Sequence, residues 1–515
     1  MSTSLGAFAA FAVVAGATVG SGAAAGPAPA EPEPSQGGEL VVATLFDSFG
    51  FDPVKVVGGI ADGTVSGAIF DSLMTYDENN EIVPLLAESL ESEDQQTWTL
   101  GLRPDVTFTD GTPLDAEAVK FNIERHQDVA LLSRSILNAL NIDSMTVVDP
   151  LTLEIHLKFP WTAFPETLVG SLGIIGSPTA LANPEEFNTN PVGAGPFMLV
   201  EWVPGDHITV ERNPDYWNAD AGEPYLDRIV FRLVLDTQTR VESVKGGEVH
   251  LAQSTNGAEV VNAGDEGLVG FPVDGPGITI QMNTTQAPFD DVRVRMAVLQ
   301  ALDRETIFNV VFEGAGTYPP NNFIIGNDSE FAPSDIAYPE FDLEAATTLV
   351  DEYEAENGAI AFTFSCHTQP DLVSMSQVVQ QMWGAAGIDV EVKIEDQQTL
   401  VGNVFQRNYE ISCFGAVGQE DPDLAYYNTF YSTSPTNTTG YANPDVDAAL
   451  DVGRQSADPD ERREAYAVVQ QALATDVPLF QAVTSPWGWF GSDNVGGMFT
   501  RRNGTFNTGD LFLTS

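Results

Sequence analysis

The sequence is poor in basic residues. Of its 515 residues, 21 are Lys or Arg and 74 are Asp or Glu, which gives a formal net charge of -53 at pH 7. Proteins that bind nucleic acid or anionic lipid need a basic surface to neutralise phosphates. We therefore expect neither partner. Because the acidic residues are spread along the whole chain, we interpret them as a solubilising, salt-adapted surface rather than as one acidic site.

Reactive groups are also scarce. The chain has five histidines and two cysteines, and no histidine has the H-x-x-H or H-E-x-x-H spacing of a zinc site. It has no G-x-S-x-G nucleophile elbow and no P-loop. We therefore expect no enzyme activity, no cofactor and no metal. A hydrolase with paired carboxylates stays an alternative, because the distance between such acids is spatial and not sequential.

The N-terminus resembles a secretory signal peptide. Residues 5–20 are an apolar run of small residues, shorter than the roughly 20 needed to span a membrane, and "AAA" at residues 23–25 is typical of a cleavage site. We assign residues 1–25 to a signal peptide and residues 26–38 to a Pro-rich tether. This predicts an exported protein, in the periplasm or on the outer face of the cell membrane. No basic residue precedes the run and no cysteine for a lipid anchor follows it.

The remainder of the chain alternates between strand and helix patterns. Residues 226–252 have the pattern of a strand–helix–strand unit with parallel strands, and a second alternating block begins near residue 278. Two segments, residues 97–111 and 145–159, have the alternation of β-hairpins, and residues 191–217 contain a third hairpin after a Gly/Pro-rich turn. Since the chain is too long for a single core, we predict an α/β fold of two lobes with a cleft between them, and a strand-rich subdomain inserted in the first lobe.

Local motifs refine these elements. The segment of residues 113–126 predicts an amphipathic helix, and Asp115, which precedes its first turn, is a candidate N-cap. Before the third hairpin, Gly193 and Gly195 predict tight backbone turns. Cys366 and Cys413 each lie in a short apolar segment typical of a buried strand. Export permits a disulfide, so a bridge between them and two buried free thiols both fit the pattern.

Four segments together resemble family 5 of the bacterial extracellular solute-binding proteins, the dipeptide- and oligopeptide-binding components of ABC importers. They occur in the family's order along the chain, at residues 86–124, 190–217, 282–307 and 460–480. The resemblance implies a periplasmic-binding-protein-like fold that closes on its ligand by a hinge motion. It implies delivery of a small solute, a peptide in the first instance, to an ABC permease and its ATPase subunits by a monomeric receptor.

The resemblance also implies domain boundaries. They are the first lobe over residues 39–72, the inserted subdomain over 73–190, the first lobe again over 191–276, the second lobe over 277–484 and a return to the first lobe over 485–515.

Ligand-binding residues follow from the same resemblance. They are expected near the first strand–helix loop, at the strand ends of the second lobe and after its last strand: Gly59, His367, Gln398, Phe414, Gly415, Ala416, Val417, Gly418, Gln419, Phe480 and Gln481.

Two departures from the peptide-binding members concern the ligand's charged ends. Gly418 stands where those members place an acid for the peptide's amino group, and residues 365–374 contain no basic residue for a dipeptide's carboxylate. Glu420 and Asp421 are the nearest substitutes for the missing acid. The alternatives to a dipeptide are a longer peptide held through its backbone, an oligosaccharide or another polar metabolite. A sensor or chaperone on the same fold is a further alternative.

Overall fold

A computed structural model describes residues 33–48, 50–56, 59–131, 133–273, 277–316, 318, 329–332, 336–415, 421–484 and 486–514. In this structure, the hairpin of residues 197–212 lies against the first described helix, Gly59–Ile69. Of the described residues, those from Pro34 onward belong to one compact unit. The predicted signal peptide and most of the tether lie outside the described residues.

The first half of the chain is rich in strands. Its strands are β1 (Glu39–Thr44), β2 (Met74–Tyr76), β3 (Ile82–Pro84), β4 (Ala87–Glu91), β5 (Thr97–Leu102), β6 (Ile142–Asp149), β7 (Thr152–Leu157), β8 (Phe197–Val203), β9 (His207–Arg212), β10 (Arg228–Leu233), β11 (Leu251–Ser254) and β12 (Val269–Val273). Its helices are α1 (Gly59–Ile69), α2 (Ala116–Gln127), α3 (Ile136–Ala139), α4 (Phe164–Thr167), α5 (Pro178–Leu181), α6 (Pro184–Phe187), α7 (Thr237–Lys245) and α8 (Gly257–Val261).

The second half alternates helices and strands. Its strands are β13 (Ile278–Met282), β14 (Ala361–His367), β15 (Asp389–Glu395), β16 (Ile411–Gly415), β17 (Leu479–Val483), β18 (Trp487–Gly491), β19 (Val495–Gly496) and β20 (Phe512–Leu513). Its helices are α9 (Val292–Gln300), α10 (Arg304–Val311), α11 (Leu343–Asn357), α12 (Pro370–Ala385), α13 (Gln397–Phe405), α14 (Asn428–Phe430), α15 (Pro444–Gln455) and α16 (Pro459–Asp476). A single π-helical stretch, Asp423–Tyr427, precedes α14.

The described residues form three larger sheets and two two-stranded ones, β2-β3 and β19-β20. The first has seven strands in the order β12-β18-β11-β1-β10-β9-β8, the second has five in the order β15-β14-β16-β13-β17, and the third has four in the order β4-β5-β7-β6. In the described part of the chain, the passage from the first sheet to the second occurs between β12 and β13, and the return occurs between β17 and β18. The four-stranded sheet packs its own core around Leu100, Leu153 and Ile155.

Several local predictions are confirmed. Asp115 caps α2 by accepting a hydrogen bond from the Ala118 N–H at 2.9 Å. Strands β6 and β7 form a hairpin, and so do β8 and β9. The alternation of apolar residues was sufficient for these elements because each hairpin buries one face.

Other predictions are wrong. Residues 97–111 are not a hairpin, because β5 pairs with β4 and β7 and the chain turns at Asp105, whose φ is 61°. Strands β10 and β11 are parallel, as predicted, but they do not pair, because β1 lies between them. Gly193 and Gly195 do not have the positive φ of a tight glycine turn. They allow their backbone to approach the Ile69 backbone closely. A Cβ at Gly193 would lie 2.2 Å from the Ile69 carbonyl oxygen.

Three aromatic residues in and directly after the β8–β9 hairpin donate hydrogen bonds to acids, of which Asp71 is buried. The Tyr216 hydroxyl and the Trp217 indole N–H both donate to Asp71 Oδ2, at 2.9 and 2.7 Å, and the Trp202 indole donates to Asp47 at 3.0 Å. Burial raises the pKa of Asp71 to about 6, against the lowering effect of these donors. These bonds therefore hold Tyr216 and Trp217 against Asp71, two residues after the end of α1.

Cys366 and Cys413 form a disulfide between neighbouring parallel strands. Both are fully buried, and β14 and β16 pair at Phe364–Ile411 and Ser365–Ser412, one step before the two cysteines. The bridge closes a loop with a sequence separation of 47. It ties together the two strands whose carboxyl ends carry His367 and Phe414.

Removing this bridge is expected to destabilise the second lobe. A Cys366→Ala/Cys413→Ala double variant should lose roughly 2–4 kcal/mol of unfolding free energy, since the bridge restricts the unfolded chain. The measurement is guanidinium unfolding with and without dithiothreitol. Reductant should lower the midpoint of the wild-type protein and leave the double variant unchanged; an equal response of the two proteins to reductant would contradict this expectation.

Candidate functional site: the cleft between the lobes

The cleft lies where the carboxyl ends of parallel strands from two sheets meet. β1, β10 and β11 are parallel in the first sheet, and β14, β15 and β16 are parallel in the second. Ligands of open α/β sheets bind at such strand ends. Directly after β14, the Gln369 side-chain amide donates to the Thr255 hydroxyl, directly after β11, at 3.4 Å. The two sets of strand ends therefore face each other.

His367 is the last residue of β14 and is half-buried at this edge. Burial lowers its pKa, so the imidazole is neutral at neutral pH and offers one donor and one acceptor. Asp371, in the first turn of α12, accepts a hydrogen bond from the Leu372 N–H at 3.0 Å. Burial raises the pKa of Asp371. This segment thus presents a neutral imidazole and a partly desolvated acid.

The other predicted residues divide into two groups. Phe414 and Gly415 end β16, next to β14; the Phe414 carbonyl accepts from the Thr279 hydroxyl at 2.6 Å, and its ring lies 6.4 Å from that of Phe405. Gly59 begins α1 and Gln398 lies in the first turn of α13, which follows β15. The structure thus places His367, Phe414 and Gly415 together at the carboxyl ends of the neighbouring parallel strands β14 and β16.

Phe480 and Gln481 lie elsewhere. They are within β17 and not after it, at the opposite end of the second sheet from β15. The Phe480 side chain is fully buried in the core of the second lobe. The Gln481 main-chain oxygen accepts from Arg304 at 3.1 Å. Ala416, Val417, Gly418, Gln419 and the proposed substitute Glu420 lie outside the described residues.

A second interlobe contact was missed by the sequence analysis. Asp423, fully buried, accepts from the Trp161 indole N–H at 2.7 Å and from Arg454 Nε at 2.7 Å. Trp161 belongs to the inserted subdomain, whereas Asp423 and Arg454 belong to the second lobe. The Arg454 guanidinium also lies 3.3 Å from the centroid of the Tyr427 ring. Desolvation raises the pKa of Asp423, and the Arg454 charge and the indole donor oppose that rise.

Asp421, two residues before Asp423, makes a third contact between the inserted subdomain and the second lobe. Its Oδ1 accepts from Arg462 at 2.5 Å and from the Asp423 N–H at 2.9 Å. Its own N–H donates to Glu166 Oε2 of the inserted subdomain at 3.2 Å. The Asp421 carboxylate, suggested by the sequence as a partner for a ligand's amino group, is therefore already paired with an arginine.

Basic side chains are few near the carboxyl ends of the parallel strands. All 21 Lys and Arg residues lie in the described ranges, and none falls in residues 365–374, 395–401 or 412–424. In the first lobe, Lys55 donates to the Leu131 carbonyl, buried Arg240 lies 3.6 Å from Glu259, and Arg232 is exposed near the end of β10. The three segments of the second lobe therefore carry acids, among them Asp371, and no basic side chain.

The described part of the chain contains no group of three or more His, Cys, Asp or Glu residues suited to holding a metal ion. Within the same residues, no helix has the length and apolar character that crossing a bilayer requires.

Comparison with known proteins matches this architecture. A family model described as bacterial extracellular solute-binding proteins, family 5 middle, matches residues 81–438. The glutathione-binding protein GsiB of Pectobacterium atrosepticum is 29% identical over 494 residues, which cover 92% of this chain and 94% of that protein. The oligopeptide-binding protein AppA of Bacillus subtilis, solved with a nonapeptide, matches with a TM-score of 0.80 at 22% identity, covering 94% of this chain and 100% of that one.

A third relative has been solved more than once. The murein tripeptide-binding protein MppA of Escherichia coli matches with a TM-score of 0.81 at 20% identity, covering 93% of this chain and 99% of that one. An unliganded open form of MppA matches with a TM-score of 0.69 at the same identity, covering 94% and 99%.

The Trp161–Asp423 contact gives a testable expectation. Trp161→Phe removes the indole donor and leaves a buried carboxylate oxygen without it, a cost of about 1–3 kcal/mol. Because this cost applies only while the lobes touch, the ligand-free variant should have a larger radius of gyration by small-angle X-ray scattering. Trp98→Phe is the control, since that indole donates within the inserted subdomain, to the Gln95 carbonyl. Equal radii for the Trp161 variant and the wild-type protein would contradict the expectation.

Proposed function

Because the chain belongs to family 5 of the bacterial extracellular solute-binding proteins, we propose that it captures a short peptide-type solute between its lobes and delivers it to an ABC permease. The observation that carries this proposal is the pair of facing strand ends joined through Gln369 and Thr255. The glutathione and peptide ligands named for GsiB and AppA support the peptide class. The existence of an open form of MppA supports capture by closure of the lobes.

The proposed lobes follow the sheets. Residues 39–72, 191–276 and 485–515 form the first lobe, residues 73–190 the inserted subdomain and residues 277–484 the second lobe. Support comes from the sheet membership of the strands, which changes between Val273 and Ile278 and again between Val483 and Trp487. The signal peptide over residues 1–25 and the tether over residues 26–38 complete the proposal of an exported, monomeric receptor that works with a permease and its ATPase subunits.

The proposed ligand-contacting groups are those at the cleft edge. They are His367, Phe414 and Gly415, with Gly59 and Gln398 and the segment of residues 416–419 completing the set from the sequence. For Phe480 and Gln481 we propose support of the sheet instead of ligand contact, because both lie within β17 and are buried. A neutral His367 suits a polar ligand group that needs one donor and one acceptor.

The charges at the cleft favour a ligand with a cationic group. Burial raises the pKa of Asp371, and residues 365–374 around it contain no Lys or Arg. Glutathione, with two carboxylates and one ammonium group, would bring a net negative charge to this site. We therefore propose a peptide that carries Lys, Arg or a free ammonium group rather than a net-anionic one.

The relatives named above are binding proteins, and we propose binding without catalysis for this chain. An oligosaccharide or another polar metabolite is the competing ligand class, and the test below distinguishes it. A sensor or chaperone on this fold would bind solute without a permease partner.

The first test identifies the ligand. Native mass spectrometry of the gently purified mature chain, followed by denaturation and analysis of the released molecule, should yield a peptide. Isothermal titration with glutathione, a neutral tripeptide and a lysine-containing tripeptide should then give the tightest binding for the last. Release of a sugar, or turnover of the added peptide, would overturn the peptide-binding proposal.

A second test addresses the proposed charge preference. Asp371→Asn should weaken binding of the lysine-containing tripeptide about tenfold, the lower end for a charged hydrogen bond, and leave the neutral tripeptide unaffected. Asp389→Asn is the matched control, since Asp389 is exposed at the amino end of β15, away from the cleft. A uniform loss for both peptides, or no loss for either, would remove Asp371 from the ligand site.

A further inference from the structure

Glu166 is an acid buried where the inserted subdomain meets the second lobe. It lies in α4 and is 8% exposed. Its Oε2 accepts from the Asp421 N–H of the second lobe at 3.2 Å, and its Oε1 accepts from the Tyr76 hydroxyl at 3.4 Å. Closure thus places a carboxyl group against Asp421, the first residue described after Gly415.

Opening of the lobes would undo this contact. In the described part of the chain, the second lobe continues into the first lobe at residues 273–278 and 483–487, and the inserted subdomain has no such connection to the second lobe. Everything that joins Glu166 to Asp421 is therefore non-covalent. Rotation about the two connections would separate the pair and admit water to the Glu166 carboxyl.

The charged and titratable groups near Glu166 include members of three parts of the described chain. Tyr76 comes from β2 and Arg502 from the C-terminal segment, and Asp421, with Arg462 behind it, comes from the second lobe. The Arg502 N–H donates to the Asn80 side chain at 2.8 Å, which ties the C-terminal segment to the inserted subdomain. Tyr76 and Arg502 therefore stay beside Glu166 when the lobes part, and Asp421 leaves.

We propose that closure of the second lobe onto the inserted subdomain takes up a proton at Glu166, so that the lobes close more readily in mildly acidic medium than in alkaline medium. The closed arrangement withdraws the carboxyl from water and brings a second carboxylate, that of Asp421, towards it. Both effects disfavour the charged form. The proposal concerns closure itself and holds whichever solute the cleft takes.

The direction of the pH dependence follows from the two states. Burial, with the Asp421 charge second, raises the pKa of Glu166 from 4.5 to about 7 in the closed form, although Tyr76, Arg502 and the Asp421 N–H lower it. A carboxyl bathed in water in the open form would titrate near its ordinary value. Closure is therefore most favoured below pH 4.5, and the advantage is lost as the pH rises through about 7. A difference of one pKa unit between the open and closed forms changes the equilibrium constant for closure tenfold. Between acidic and alkaline pH this constant therefore changes by at most ~300-fold.

The test uses ligand-free protein and small-angle X-ray scattering from pH 5 to pH 8. The wild-type radius of gyration should grow as the pH rises. Glu166→Gln, a permanent mimic of the protonated acid, should keep the compact radius throughout. Glu154→Gln is the matched control, since Glu154 is exposed on β7 of the same subdomain, and it should follow the wild type. A wild-type radius that does not change, or a Glu166 variant that follows the wild type, would overturn the proposal.

A second variant separates proton uptake from a structural role of Glu166. Asp421→Asn leaves Glu166 in place and removes the neighbouring charge that raises its pKa. The transition in radius should move to lower pH in this variant. A transition that stays at the wild-type pH would exclude the Glu166–Asp421 pair as its origin. Because no ligand is added, failure here is independent of whether the bound solute is a peptide.

Discussion

The buried carboxylate of Asp423 imposes a constraint on which the arrangement of the lobes depends. A charge withdrawn from water is costly unless it is paired and its remaining lone pairs accept hydrogen bonds. Arg454 supplies the charge at 2.7 Å and Trp161 supplies a donor from the other side of the interface at 2.7 Å. Asp423 is satisfied in this way only while the inserted subdomain and the second lobe are in contact, so the interface has one preferred register.

Further contacts of the same interface involve residues on both sides of Asp423 in the sequence. Asp421 pairs with Arg462 and reaches Glu166, and Leu424 packs into the core of the inserted subdomain. Asp423 and Leu424 begin the π-helical stretch, a rare helix form that is frequent at functional sites.

The sequence predicted those elements in which a local pattern suffices. The Asp115 cap needs only residues of α2, and the hairpin of β8 and β9 needs only its own alternation. The Trp161–Asp423 contact joins residues 262 apart, and no local pattern marks either partner. Trp161 looks like any core aromatic, and Asp423 looks like the start of a helix. The prediction of a hairpin over residues 97–111 was wrong for a related reason. Its strand β5 pairs with β4 and β7, which lie outside the segment.

Several of the few basic residues lie in the interior of the protein and not on its surface. Arg240, Arg295, Arg304, Arg454 and Arg462 are all buried. Four of them bind main-chain carbonyls: Arg240 those of Val234 and Leu235, Arg295 those of Phe289 and Asp476, Arg304 that of Gln481, and Arg462 that of Gly453. A guanidinium can satisfy several acceptors at once in a fixed geometry, which suits it to this interior role. The surface is correspondingly depleted of positive charge, and the mutual repulsion of its acids is reduced as salt screens them. Acids that lie near the cleft, such as Asp371 and Glu166, therefore have few competing cations and respond mainly to burial, to the ligand and to closure of the lobes.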